Sequence, residues 1–356
     1  MIGPAREFDA DGAATDITLE HTIAGCCAAA DTDVAAAPLT ADSLSRCRLN
    51  FAAILHDIAV ALHPQAGEQG HVATYIPALA RVPADRFGIA LHTVDGIEAG
   101  AGDCDVSFSI QSVSKVFSLT MCLQAIGDEL WKRVGREPSG NPFNSLVQLE
   151  SEHGKPRNPF INAGAIVVAD VLLGLGRTSA DLVAMLSDLC GEAVDIDEEV
   201  AASEAETGFR NRALANFMKS FGGIENDVTA VLELYFRQCA IRMNCRQLAR
   251  AASYLCRDGA HPLSASSGAR PAVFSERLAR RVNALMLTCG TYDMAGEFAY
   301  LIGLPCKSGV GGGIVAVVPD QLTLAVWSPA LDESGNSWLG MKALEMFVSR
   351  TGLSVF

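Results

Sequence analysis

Ser112-Val113-Ser114-Lys115 places a hydroxyl and an amine three residues apart. On a helix that spacing puts both side chains on one face. A serine hydroxyl is a weak nucleophile at neutral pH and needs a base beside it. A lysine serves as that base only when burial or neighbouring cations remove its proton near neutrality. Phe108, Val116 and Phe117 supply an apolar neighbourhood. Acyl transfer also needs donors for an anionic tetrahedral intermediate, and the free N–H groups at a helix start offer them. A lone Ser-x-x-Lys arises by chance in many proteins. Two features single this one out: its place in the chain, and a later Lys307-Ser308-Gly309-Val310-Gly311-Gly312-Gly313.

That place follows from the periodicity. Residues 106–110 alternate apolar and polar side chains, as a strand does, and from Val113 to Trp131 the apolar spacing is helical. Ser112 therefore stands where strand gives way to helix. Upstream, the pattern predicts a helix from Ser43 that ends before Pro64, a strand over 87–94, a turn at Asp95-Gly96 and a second strand over 103–110. Downstream it predicts helices over 163–175, 179–190, 213–221, 227–238, 246–256 and 276–288, with 203–211 as a polar loop. Strand pieces at 310–318 and 321–327 flank a Pro319-Asp320 turn, and a helix over 337–351 closes the chain. Strands from both ends of the chain then meet in one antiparallel sheet flanked by helices, an α+β arrangement, with a helical subdomain over roughly 120–285. A cleft between sheet and subdomain is a natural place for a site. Glycines at 309 and 311–313 let backbone approach a ligand, and an N–H from that edge can join that of Ser112 in an oxyanion hole.

The chain has 356 residues, 49% of them hydrophobic and 19% charged, enough for a large core. A net charge of −14 argues against nucleic acid, which needs a basic face, and against an anionic membrane surface. Eleven cysteines, none in a C-x-x-C, lie scattered through apolar segments and read as reduced, buried thiols of a cytoplasmic protein. The first 16 residues contain acidic groups and no apolar core of a secretory signal. Seven isolated histidines give no metal-binding spacing, so no metal is expected. The apolar run at 163–175 is broken by Asp170 and Gly174 and is too short to span a bilayer. Residues 1–44, poor in large apolar side chains, read as a poorly structured extension ahead of a domain over 45–356.

Several other residues are ambiguous alone. Asn162, in Ile161-Asn162-Ala163-Gly164, reads first as a helix cap. Glu204 and Asn211 fit a solvated loop, and Tyr75, Tyr235 and Tyr292 fit ordinary half-buried tyrosines. Together they are distinctive. Tyr75-Ile76-Pro77, the segment from Phe108 to Phe117, Asn158-Pro159-Phe160-Ile161-Asn162-Ala163-Gly164-Ala165-Ile166, Glu204 with Arg210-Asn211, Tyr235, Cys289-Gly290-Thr291-Tyr292-Asp293 and the Lys307–Gly313 stretch occur in one order. In that set and order the chain resembles the serine-dependent glutaminases, over roughly residues 45–356. Phe209 departs from the family loop, which usually carries an acidic or polar residue there.

The resemblance implies a β-lactamase/transpeptidase-like fold and an L-glutamine amidohydrolase giving L-glutamate and ammonia, without cofactor, as a homo-oligomer. It implies Ser112 as nucleophile, Lys115 as its base and Tyr292 as the relay to the leaving ammonia. Substrate would be held by Tyr75, Asn162, Glu204, Asn211, Tyr235 and Tyr292, with the N–H groups of Ser112 and Val310 on the oxyanion. Such a set can pair each polar group of glutamine, and so reject analogues lacking one. Two rivals stand beside it. A β-lactamase or peptidase on the same fold is disfavoured because no Ser-Asp-Asn lies between the lysine motifs. A non-catalytic glutamine sensor would carry the same binding residues.

Overall fold

The computed structural model describes residues 49–140, 144–264, 268 and 270–356. The extension expected over 1–44 and the helix start at Ser43 lie outside them. The first described helix, α1 (Phe51–Leu62), opens on an Asn50 side chain that accepts from the Ala53 N–H. A hairpin follows, β1 (Gly88–Thr93) and β2 (Glu98–Gly102). β3 (Phe108–Ser109) then leads through a 3₁₀ turn at Gln111–Val113 into α2 (Ser114–Ile126).

The next segment is mainly helical: α3 (Leu146–Ser151), α4 (Asn162–Gly174), α5 (Ser179–Cys190), β4 (Asp195–Ile196), α6 (Glu198–Thr207), α7 (Phe209–Ser220) and α8 (Val228–Cys239). After β5 (Ile241–Met243) come α9 (Cys245–Ala252), α10 (Glu276–Cys289) and α11 (Ala295–Leu301). The chain ends with β6 (Cys306–Ser308), β7 (Gly313–Val318), β8 (Leu322–Trp327) and α12 (Trp338–Thr351).

Local chemistry sets these bounds. Thr178 and Asp181 form a capping box at α5, which ends at Gly191 in the left-handed region. Asp227 caps α8, and Asn244 with Gln247 boxes α9.

The main sheet is antiparallel in the order β2-β1-β8-β7-β6, so both ends of the chain meet in it as the sequence predicts. β1, β7 and β8 are buried on both faces, which explains their near-continuous apolar runs. Their alternation divides the interior into two cores. Ile89, Leu91, Ile314, Ala316 and Val318 pack with Leu55 and Ile58 of α1 and Leu344 and Phe347 of α12. Val315, Val317 and Ala325 pack with the helices of the middle segment.

Three expectations needed correction. Residues 103–110 do not form a second main-sheet strand. β2 takes that place, and only Phe108–Ser109 is extended, in a separate small sheet of order β3-β5-β4. The helix after Ser112 stops at Ile126, where Gly127 adopts φ 54° and a 3₁₀ turn follows. Residues 203–211 are not a polar loop, because α6 and α7 meet there at Gly208. Their helical period was obscured by polar residues that face a site rather than solvent.

Asp170, the charge interrupting the apolar run of α4, is fully buried. It accepts from the N–H groups of Glu225 and Asn226, from Asn226 Nδ2 and from Arg133. It thereby ties α4 to the loop before α8. Among the described residues no helix is long and apolar enough to cross a membrane.

Candidate active site

The small sheet delivers Ser112. Ile110 N–H donates to Ile241 O at 2.9 Å, and the chain then turns into the 3₁₀ segment before α2. Gln111 makes that turn with φ 49°, the left-handed region, which is strained for a side chain of its size. Its side chain is held by a donated bond to Ser109 Oγ at 2.9 Å and by a hydrogen bond with Glu204. Ser112 is therefore one turn ahead of the α-helix, on a fixed backbone.

The glycine loop after β6 closes over this turn. A Cβ on Gly309 would stand 2.6 Å from Ile110 O and 3.1 Å from the Ser112 nitrogen, and one on Gly311 would stand 2.4 Å from Ser109 O. Only glycine lets the two backbones approach so closely. Gly311 O in turn accepts from Trp327 Nε1 at 3.0 Å, and Trp327 stacks on Phe108 at 5.0 Å.

Ser112 lines a cleft of about 100 Å³ with Tyr75, Asn162, Glu204, Asn211, Tyr235 and Val310. Seven of the nine predicted site residues thus share one small cavity. Tyr75, 57% exposed, stands at its rim. Lys115 and Tyr292 lie buried beneath the lining. The phenol of Tyr292 is hydrogen-bonded with Ser112 and donates to Ser308 O at 3.3 Å. Burial raises its pKa, against the pull of those two bonds.

Lys115 Nζ donates to Asn162 Oδ1 at 2.7 Å and to Phe160 O at 3.2 Å. Burial lowers its pKa to about 8, although Cys239 and Glu204 oppose that shift. Asn162 is not the helix cap its position suggested. α4 has no side-chain cap bond. Asn158 Oδ1 instead accepts from the N–H groups of Phe160 and Ile161 just before the helix. That frees Asn162 to receive Lys115 and to donate to Asn211 Oδ1 at 2.9 Å.

Glu204 is buried and lines the cleft with Tyr75, Tyr235 and Gln111. Burial pushes its pKa up to about 7, against the Gln111 hydrogen bond and the charge of Lys115. One carboxylate oxygen, Oε1, is buried without a hydrogen-bond partner. A buried acceptor left open in this way is costly, and a bound cation or donor satisfies it.

Sequence reasoning passed over other lining residues: Gln111, Asn144, Arg210 and Cys239. The strained φ of Gln111 has no signature in a single sequence. Cys239 falls one turn after Tyr235 on α8, a spacing that could have drawn notice. A larger cavity, about 880 Å³, opens among α6, α7 and α8 and holds none of the predicted residues.

Comparison with known proteins agrees with this architecture. The chain has the β-lactamase-like α+β fold of bacterial glutaminases of known structure. It superposes on the probable glutaminase ybaS with a TM-score of 0.79 at 36% identity, over 86% of this chain and 99% of that one. It superposes on the Bacillus subtilis glutaminase YbgJ, in covalent complex with 5-oxo-L-norleucine, with a TM-score of 0.75 at 35% identity, over 86% and 100%. A family model described as Glutaminase matches residues 70–356. A glutaminase of Methylobacterium sp. (strain 4-46) is 57% identical over 293 residues, covering 81% of this chain and 93% of its own. The chain belongs to the glutaminase family, a family of hydrolases.

Proposed function

We propose that the chain hydrolyses L-glutamine to L-glutamate and ammonia through an acyl-enzyme on Ser112. The observation that carries this reading is a buried lysine three residues after a serine that lines an amino-acid-sized cleft, with its amine held by a cleft residue, Asn162. Lys115 donates two bonds, to Asn162 and Phe160. A neutral amine has two N–H donors, so both are used and the lone pair remains for Ser112. A pKa near 8 leaves about a tenth of the amine neutral at pH 7.

In the first half-reaction Ser112 Oγ attacks the side-chain amide carbon as its proton passes to Lys115. The oxyanion is received by the N–H groups of Ser112 and Val310. Tyr292 hands a proton to the leaving nitrogen and recovers the one that Lys115 took from Ser112, so ammonia leaves and the ester remains. Water then adds to the ester carbon as Lys115 takes its proton, and Lys115 returns that proton to the serine oxygen as L-glutamate leaves.

Glu204, with its open oxygen, takes the α-ammonium. Asn162, Asn211, Tyr75 and Tyr235 pair the remaining polar groups of the substrate. The relative solved after reaction with 6-diazo-5-oxo-L-norleucine, a covalent complex, supports a nucleophile in this site.

With this reading go a catalytic domain over 45–356 with a helical subdomain at roughly 120–285, assembly as a homo-oligomer and a cytoplasmic setting. The setting is supported by the eight described cysteines, all buried and unbridged. The test is ammonia release from L-glutamine against L-asparagine, with and without Ser112→Ala. Folded S112A protein that still releases ammonia at the original rate would refute the mechanism. Binding of glutamine without release by the unaltered chain would favour a sensor.

A further inference from the structure

We infer that Lys307 is a positioning residue for Tyr292, holding the phenol where it can serve the leaving nitrogen. The inference rests on the role given to Tyr292 above. Lys307 is on β6 and wholly buried, yet no step of the reaction uses it. Its Nζ donates to Gly290 O at 2.9 Å and to Ser308 O at 2.5 Å, and lies 4.6 Å from the centre of the Tyr292 ring. Ser308 O also accepts from the Tyr292 hydroxyl. Lysine and phenol thus share one carbonyl, and the lysine grips the ring face as well.

The need for such a grip is in the backbone. Tyr292 has φ 59°, a conformation bulky residues avoid and that persists only where its surroundings enforce it. Gly290, two residues earlier, lies against β6 so closely that a Cβ would stand 1.8 Å from Cys306 O. Its carbonyl receives both Lys307 Nζ and the Ser308 N–H. Lys307 therefore fastens the turn at Gly290 O, before the tyrosine, and the phenol end at Ser308 O. Burial and the charge of Lys115 push its own pKa down, so a lysine here is retained against its solvation cost.

The test separates amide from thioester hydrolysis. A thiolate leaves a γ-thioester of L-glutamate without needing a proton, whereas ammonia leaves glutamine only after receiving one. Lys307→Met keeps the stem and removes the donors. It should lower kcat for L-glutamine at least 30-fold, with KM within threefold and thioester turnover within threefold of the unaltered enzyme. Lys307→Gln, which keeps a donor for the carbonyls, should recover part of the amide rate, and it repeats the comparison if the methionine variant does not fold. Equal losses on both substrates, no loss on the amide, or a glutamine variant no better than the methionine one would overturn the inference. Tyr292→Phe is measured alongside. If it shows the amide–thioester split and the Lys307 variants do not, the lysine role alone fails. If Tyr292→Phe shows no split, the tyrosine role has failed and the lysine role with it.

Discussion

Lys115 Nζ and Asn162 Oδ1 are 2.7 Å apart, and the same Asn162 donates to Asn211. One amide therefore joins the candidate base to the wall of the substrate cleft. Its neutrality matters, because a carboxylate in that place would hold the proton on Lys115.

Asn162→Asp should do this. An opposite charge at such a distance raises a lysine pKa by about 1–3 units. Lys115 begins near 8, so kcat in the unaltered enzyme should climb with pH through about 8 and level off. In the aspartate variant the climb should move to higher pH, and kcat at pH 7 should fall about 10- to 1000-fold. Asn162→Ala should weaken binding with no alkaline movement. Steady-state kcat across pH 6–10 checks both, and an unmoved midpoint in the aspartate variant would remove Lys115 from the role of base.

Glu204 gives a prediction with two arms. Its pKa is about 7 in the fold against an ordinary 4.5, so the folded chain holds a proton the unfolded chain has lost. Stability falls as pH rises from 4.5 through 7 and stays reduced above. Glu204→Gln lacks that dependence. It should melt higher than the unaltered protein at pH 8, by an amount on the order of a few kcal/mol, and about equally at pH 4. The same change removes the charge offered to an α-ammonium, so KM should rise about 10- to 100-fold. A variant with no stability gain at pH 8 would contradict a buried carboxylate with one oxygen left open.

Much of this site was legible because its residues stand in short motifs. Ser112, Lys115, Asn162 and the Lys307–Gly313 stretch could be picked out by type and spacing, and the segments of β1, β7 and β8 could be read as strands of one antiparallel sheet. Other features were hidden for physical reasons. Glu204 and Asn211 are polar residues on helices that face a cleft, so the helical period of α6 and α7 is masked by function. Asn162 occupies a capping position, but whether it caps depends on Asn158, a non-local choice of partner. The positive φ angles at Gln111 and Tyr292 come from tertiary packing that no local propensity reports.

The glycine loop yields a test of close approach. A Cβ at Gly311 would stand 2.4 Å from Ser109 O and 3.2 Å from Gln111 Cγ. Gly311→Ala must push the loop off the turn that carries Ser112. A displacement of about 1 Å can cost about a hundredfold in rate when oxyanion donors are misplaced. The variant should therefore lose about a hundredfold in kcat while keeping its secondary structure by circular dichroism. Full activity would mean the loop is not seated on the nucleophile turn during turnover.

Asp170 predicts how the helical segment responds to acid. Burial pushes its carboxyl up, but Arg133 and the N–H groups of Asn226 and Glu225 outweigh that and hold it below the usual carboxylate range. A depressed pKa contributes stability that is complete above the unfolded value, about 4, and is lost as pH falls through the folded one. Asp170→Ala leaves the guanidinium and two backbone N–H groups without their acceptor, a loss of about 3–5 kcal/mol at pH 7. In acid the carboxyl of the unaltered protein takes up its proton, so the difference between the two proteins should be smaller at pH 2 than at pH 7. Urea unfolding at both pH values measures this. A gap of the same size at pH 2 and pH 7 would show that Asp170 stabilises α4 by packing rather than by charge.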